Sequence, residues 1–354
     1  MEKVAVVAIT RNGIAMARTL KSRFDSWQVF APSKFSDNDS NITWFDDSTT
    51  AKVGELFRTH DALVCIFSLG AVIRLVAPHL KDKKTDPAVV VIDDAGKFVI
   101  SALSGHLGGA NMLAEEISQL TGGTAVITTA ADVNKTIAVD LVGREFGWTV
   151  DDSSTVTRVS ALMVNGERIG VFQDAGRSDW WLPKRELPAN VTLFPTLEEM
   201  SRSYCKGFLI ITDREIRDAG LLSRSVVYRP KTLVVGVGLH WDTSSDTIME
   251  GLQFCLSKFG LSPKSVARFA SIRKESQVAG LREIAGKFGV PVDYYEKEDL
   301  ARISIPNPSD VVQTFEGTPS VSEASALRSS CGRLVVEKQK FPPNLTIAIA
   351  RIPA

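Results

Sequence analysis

The chain has 354 residues, and its 41 lysines and arginines are balanced by 41 aspartates and glutamates. That length exceeds one ordinary core and predicts two or three domains. Zero net charge gives no long-range field toward nucleic acid or an anionic membrane surface, so neither is an expected partner and any anion site must be local.

The N-terminus, MEKVAVVAIT, enters an apolar run without a basic leader or a small-residue cleavage site, and reads as a strand and not a signal peptide. Strands are predicted over 4–9, 27–30, 61–67, 88–92 and 124–128, alternating with helices that begin near Asn12, Thr50, Gly70 and Gly108. This is the pattern of a doubly wound α/β domain over 1–149. The helix after Gly108 is the clearest, with Ala110, Leu113, Ala114, Ile117 and Leu120 on one face, Glu115 and Glu116 turned away, and Gly122 and Gly123 at its end. The longest apolar stretch, 62–73, is too short to span a bilayer and runs into Arg74, so a soluble, cytoplasmic protein is expected. Residues 150–230 carry Trp180, Trp181, Pro183, Pro188 and Pro195 with weaker periodicity, and read as a small middle domain. A C-terminal α/β domain over 231–354 opens with the strand LVVGVG. A helix over 245–259 follows, striped by Ile248, Leu252, Cys255 and Phe259, with Asp242, Thr243 and Ser244 as candidate caps. A second helix is predicted over 278–288, then strands near Val292, Leu334 and Leu345.

Cys65, Cys205, Cys255 and Cys331 show no CxxC spacing and read as reduced structural thiols. His60, His79, His106 and His240 form no HxH or HExxH pair, so the protein is expected to bind no metal or other cofactor of its own.

The most informative segment is LSGHLGGAN at 103–111, between a strand ending near Ile100 and the amphipathic helix. Glycines there let the backbone approach a ligand, and a helix start offers N–H groups and a positive dipole end. Gly105, Gly108 and Gly109 match neither the GxGxxG nor the Walker spacing, so a nucleotide is not indicated; a purely structural turn is the other reading. His106 within that turn is a candidate acid or base. Arg74 is the one cation in the helix AVIRLVAPHL, and either binds a substrate acid or pairs internally with Asp86, Asp93 or Asp94. Lys81, Lys83 and Lys84 fit a solvated turn. The segment TTAAD at 128–132 stands at a strand's carboxyl end, where α/β sheets bind ligands; it, the Gly70 turn and the glycine-rich turn are expected to share one crevice. Asp132 either faces that crevice or caps a helix.

Together these segments resemble the CbiG family, cobalt-precorrin 5A hydrolases of anaerobic cobalamin biosynthesis. The matching stretches are GAVIR at 70–74, KTDPAV at 84–89, SGHLGGAN at 104–111 and 128–132, in family order and spacing. Thinner matches lie at 234–238, Lys274-Glu275, Gly280-Leu281, 321–327 with Glu323, and Lys338. Where the family's third domain commonly follows its glycine pair with a cysteine and two arginines, this chain has Leu239, His240, Trp241 and Asp242, and His240 is a candidate for part of the lost charge.

The resemblance implies hydrolytic opening of the ring A δ-lactone of cobalt-precorrin 5A, giving cobalt-precorrin 5B and acetaldehyde, a reaction of the carbon–carbon bond hydrolase class. It implies His106 and Asp132 as catalytic residues. Substrate binding would fall to Arg74, Lys84, Asp86, Ser104, Gly105, Gly108, Gly109, Asn111, Thr129 and Glu323, with N–H groups near Gly108 and Gly109 as oxyanion donors. Cobalt enters as part of the tetrapyrrole substrate, and a homodimer is left open. There is no GxSxG elbow, which disfavours a serine acyl-enzyme. The competing readings are a non-catalytic corrin-precursor carrier and an enzyme of small phosphorylated metabolites.

Overall fold

A computed structural model describes residues 2–82, 85–106, 108–134, 136–181, 186–274 and 278–353. The chain forms two compact units, Met1–Leu141 and Val142–Ala354. The first is a doubly wound α/β domain. Its strands are β1 (Val4–Ala8), β2 (Gln28–Pro32), β3 (Ile42–Phe45), β4 (Ala62–Ile66), β5 (Ala88–Ile92), β6 (Phe98–Leu103) and β7 (Thr124–Val126). They lie in the order β3-β2-β1-β4-β5-β6-β7. The helices are α1 (Arg11–Arg23), α2 (Thr49–Thr59), α3 (Leu69–Val76), α4 (Ala110–Thr121) and the short α5 (Ala130–Val133). β1, β4 and β5 are buried along their whole length because helices cover both faces of the sheet, which is why they read as continuous apolar runs. Leu113, Ala114 and Ile117 of α4 join the core on one face, while α2 and α3 close the other.

One pairing decides where the site stands. β5 and β6 are antiparallel, with Val89 opposite Leu103 and Ile92 opposite Val99. β7 runs parallel to β6. The turn after β6 and the segment after β7 therefore lie at the edge where β5 begins. The Gly70 turn follows the carboxyl end of β4, which is parallel to β5, and so lies at the opposite edge.

The second unit holds a small middle sheet and a C-terminal one. The middle strands are β8 (Thr149–Val150), β9 (Ile169–Gln173), β10 (Val191–Phe194), β11 (Gly207–Ile211) and β12 (Ser225–Arg229), ordered β10-β9-β11-β12-β8, with α6 (Val156–Val164), α7 (Leu197–Arg202) and α8 (Ala219–Leu222) around them. The boundary expected at 149 thus falls inside the second unit, because Thr149 already pairs with Arg229. The C-terminal strands are β13 (Leu233–Leu239), β14 (Val266–Ile272), β15 (Val292–Tyr295), β16 (Arg333–Phe341) and β17 (Leu345–Arg351), ordered β15-β14-β13-β17-β16. Its helices are α9 (Ser245–Phe259), α10 (Ala279–Phe288), α11 (Lys297–Ala301), α12 (Asp310–Glu316) and α13 (Ser322–Ser330). Of the three candidate caps of α9, Ser244 is the one that caps: its hydroxyl accepts from the N–H of Thr247 at 3.2 Å.

All four cysteines are free, and only Cys331 is exposed. Burial pushes the thiols of Cys65 and Cys255 up to about 12, which keeps them protonated and unreactive. No described helix is long and apolar enough to cross a membrane.

Candidate functional site

The loop from Ser104 to Gly109 is held by backbone bonds that its own residues dictate. Ser104 adopts φ +55, a left-handed conformation uncommon outside glycine, and its hydroxyl donates to the carbonyl of Asp86 at 2.9 Å. Gly109 is left-handed at φ +85, which sets the entry angle of α4. A side chain at Gly105 would meet Asn111 Oδ1 at 2.5 Å, and one at Gly108 would meet Ser104 Cβ at 2.4 Å, so both glycines serve close packing within the loop. Asn111, 7% exposed, ties three segments: its Oδ1 accepts from Ser101 of β6 at 2.6 Å, and its Nδ2 donates to Thr129 Oγ1 after β7 at 2.8 Å. Asn111 and Thr129 are thus brought together as the sequence suggested, with Asn111 in a positioning role.

The anion cradle expected at the start of α4 is narrower than foreseen. The N–H of Gly109 donates to the carbonyl of His106, that of Ala110 to Ser104, and that of Asn111 to Gly105. Among the described residues the Gly108 N–H has no acceptor, so it is a donor of this turn left for a ligand.

The side chain of His106 is 15% exposed, and its Nδ1 lies 3.6 Å from Oδ1 of Asp140, whose own side chain is 26% exposed. That is ion-pair reach and longer than a direct hydrogen bond. Asp140 was not among the residues singled out from the sequence. It stands between Val139 and Val142, both buried, and no motif in the sequence marks it. The backbone of Asp132 belongs to α5, while its side chain lies outside what is described, as does Lys84.

Two further expectations are corrected. Arg74 is exposed and reaches no carboxylate among the described residues; its Nη1 donates to the Gly70 carbonyl at 3.0 Å, one turn back. Because β6 is antiparallel to β5, the Gly70 turn does not share a crevice with the glycine-rich turn. The carboxylate of Asp86 is turned on its own loop, where both oxygens accept from the N–H of Lys81 at 3.1 and 3.0 Å. What remains at the site edge of the sheet is the loop 104–109, Asn111, Thr129 and the His106–Asp140 pair. Among the described residues no three His, Cys, Asp or Glu side chains converge as metal ligands.

Three family descriptions match consecutive parts of the chain: cobalamin synthesis G N-terminal over 51–132, cobalamin biosynthesis central region over 137–230, and cobalamin synthesis G C-terminus over 233–350. The chain belongs to the cobalamin synthesis G family. It is 41% identical to the cobalt-precorrin-5A hydrolase of Priestia megaterium, over 99% of this chain and 95% of that one. It is 29% identical to the cobalt-precorrin-5A hydrolase of Salmonella typhimurium over 95% of this chain and 94% of the relative. A probable cobalt-precorrin-5A hydrolase of Methanocaldococcus jannaschii is 22% identical over 85% and 80% of the two chains.

In this member of the cobalamin synthesis G family the C-terminal domain uses Glu323 inwardly. Glu323 is fully buried at the start of α13, where Oε1 accepts from Asn307 Nδ2 at 2.8 Å and from the Lys338 N–H at 3.1 Å. It clamps the 307 loop to β16 and is not presented to a ligand, which corrects its assignment to substrate binding. The carboxylate is internal because α13 packs directly on β13. His240, the candidate for a missing cation, places Nδ1 2.9 Å from Asp242 Oδ1, so its ring is engaged within its own turn. That bond holds the Asp242 carboxyl below the usual carboxylate range.

Proposed function

We propose that this chain is a cobalt-precorrin 5A hydrolase, which adds water across the ring A δ-lactone and releases acetaldehyde to leave cobalt-precorrin 5B. The observation that carries the reading is the 41% identity to a named hydrolase of that substrate over nearly the whole of both chains. The site supports it with a titratable histidine at the edge of the sheet, a carboxylate within ion-pair reach and a Gly108 N–H that has no acceptor among the described residues. In this mechanism His106 takes a proton from the attacking water as oxygen adds to the lactone carbonyl. Asp140 holds the ring and stabilises the imidazolium as it forms. The Gly108 N–H faces the developing oxyanion. The proton on His106 then passes to the ring oxygen as the C–O bond breaks, which completes lactone opening and precedes loss of the two-carbon fragment. Cobalt arrives inside the substrate and the protein adds no cofactor. A cytoplasmic location belongs to the reading, supported by four cysteines that are all free.

The test is anaerobic incubation of the purified chain with cobalt-precorrin 5A, with acetaldehyde trapped and measured. Catalytic release is expected. Tight binding of the tetrapyrrole without acetaldehyde over many enzyme equivalents overturns the hydrolase.

A further inference from the structure

The C-terminal domain holds a cleft of about 450 Å³, outside the site just described, lined by the end of β13, α12 and the β16–β17 hairpin. Its volume lies within the range of small-molecule sites, which run from about 300 to 1,000 Å³. The position is one where α/β sheets bind ligands. β13 pairs in parallel with β14 and antiparallel with β17, so the cleft opens beyond the carboxyl end of the strand at which the sheet changes sense.

Two chemical features stand out. One wall is apolar and uncovered: α12 has no buried residue, and its Val311 and Phe315 are 66% and 83% exposed while facing Phe341 and Val321 across the cleft. Large apolar side chains left this open in a folded domain mark a binding surface more often than chance. The other feature is cationic. Lys338 and Lys340 both line the cleft from β16. Among the described residues neither has an ion-pair partner. The cleft's carboxylate, Glu316, is already answered by Lys274 at 3.0 Å. Lys338 Nζ donates to the Asn307 carbonyl, and burial holds its ammonium below the usual lysine value against the pull of Glu323. An arriving carboxylate would relieve that cost.

We propose that this cleft binds a polycarboxylate tetrapyrrole, with a ring edge against Val311, Phe315 and Phe341 and two acid arms on Lys338 and Lys340. The proposal rests on the reading that the chain handles a tetrapyrrole. An apolar macrocycle fringed by carboxylates matches a hydrophobic wall beside paired cations, whereas a phosphorylated metabolite would leave the wall wet and a neutral apolar ligand would leave both lysines unanswered.

The experiment uses the full chain, with uroporphyrin as a stable octacarboxylate probe and cobalt-precorrin 5A for turnover. The double variant Phe315→Ser, Lys340→Glu changes two exposed side chains and is expected to fold normally by circular dichroism and thermal melting. It should weaken uroporphyrin about tenfold or more, because it removes an apolar contact and a cation from the cleft. His106→Ala should leave uroporphyrin affinity within about threefold, because a proton-transfer group contributes mainly to the rate. Unchanged uroporphyrin affinity in the double variant overturns the cleft while the hydrolase stands. So does a wild-type chain that binds no uroporphyrin. If the wild type releases no acetaldehyde but loses uroporphyrin affinity on substitution, the hydrolase reading fails and the cleft stands.

Discussion

His106 owes its position to residues that do no chemistry. Its carbonyl receives the Gly109 N–H, its loop is closed by Ser104 on Asp86, and Asn111 fixes the helix that follows. The substitution His106→Ala should lower kcat by about 10² to 10⁴ while tetrapyrrole affinity stays within about tenfold, the range of a general acid or base. Asp140→Asn keeps the shape and removes the charge beside the ring. It should cost at least about tenfold in kcat, through loss of imidazolium stabilisation, with little change in KM. Steady-state rates of acetaldehyde release measure both. An Asp140→Asn enzyme with wild-type kcat would leave His106 without its orienting carboxylate and return the question to Asp132. The histidine was legible because a titratable group in a glycine-rich turn is unusual. Asp140 was not, because nothing in a linear pattern says which of several carboxylates the chain will bring to a ring 34 positions away in sequence, from 106 to 140.

At the level of elements, periodicity revealed what buries an apolar stripe and missed what buries small residues. The stripes of α4 and α9 give their positions to within two residues, since Leu113, Ile117, Ile248 and Leu252 must all reach a core. α13 reads SEASALRSS and shows no such stripe, yet six of its nine residues are buried. Its packing comes from β13: a Cβ on Gly236 would lie 1.9 Å from the Ser322 carbonyl oxygen and 2.8 Å from Ala326 Cβ. The helix sits on the strand because the strand has nothing there. Gly236→Ala should therefore destabilise the chain by roughly 1 to 3 kcal/mol or prevent folding of the C-terminal domain, since a backbone oxygen cannot move aside as a flexible side chain would. The urea midpoint measures it, with Ala348→Gly on the neighbouring β17 as a control for strand propensity; a Gly236→Ala variant as stable as wild type would mean α13 can lift off β13 at no cost. The reversal of β6 was also readable, though not from hydrophobicity. The five residues between β5 and β6, DDAGK, are too few for the crossover of a dozen or more that parallel strands need. Asp93 and the left-handed Gly96 close that hairpin, with Asp93 Oδ1 accepting from the Phe98 N–H at 2.6 Å. Reading it would have placed the glycine-rich turn at the correct edge of the sheet.

At the scale of the molecule, the middle and C-terminal sheets are joined by two buried polar knots. In one, Arg229 of β12, 2% exposed, donates to the carbonyls of Thr212 and Arg214 and to Asp151, which also receives Lys264. In the other, Asp213, fully buried, accepts from Thr232 and from Arg351 at the end of β17. Each knot crosses from one sheet to the other, which is why residues 142–354 form one unit despite two separate sheets. Burial opposes the charge on Asp151, but the bonds from Arg229 and Lys264 together outweigh it and hold its carboxyl below the usual value. The stability this supplies is complete above the unfolded aspartate value, about 3.9, and is lost as pH falls through the lower native value. Asp151→Asn leaves Arg229 buried without its counter-charge and should cost about 3 to 5 kcal/mol at pH 7. Below about pH 4 the gap between wild type and variant should begin to narrow, and it closes once pH falls below the lower native value, where the wild-type carboxylate is protonated as well. Urea unfolding of the full chain across pH 3 to 7, followed by tryptophan fluorescence, measures the gap at each pH. A difference that is the same at every pH would assign the cost to shape and not to charge, and would remove Asp151 from the group of interactions that make one unit of two sheets.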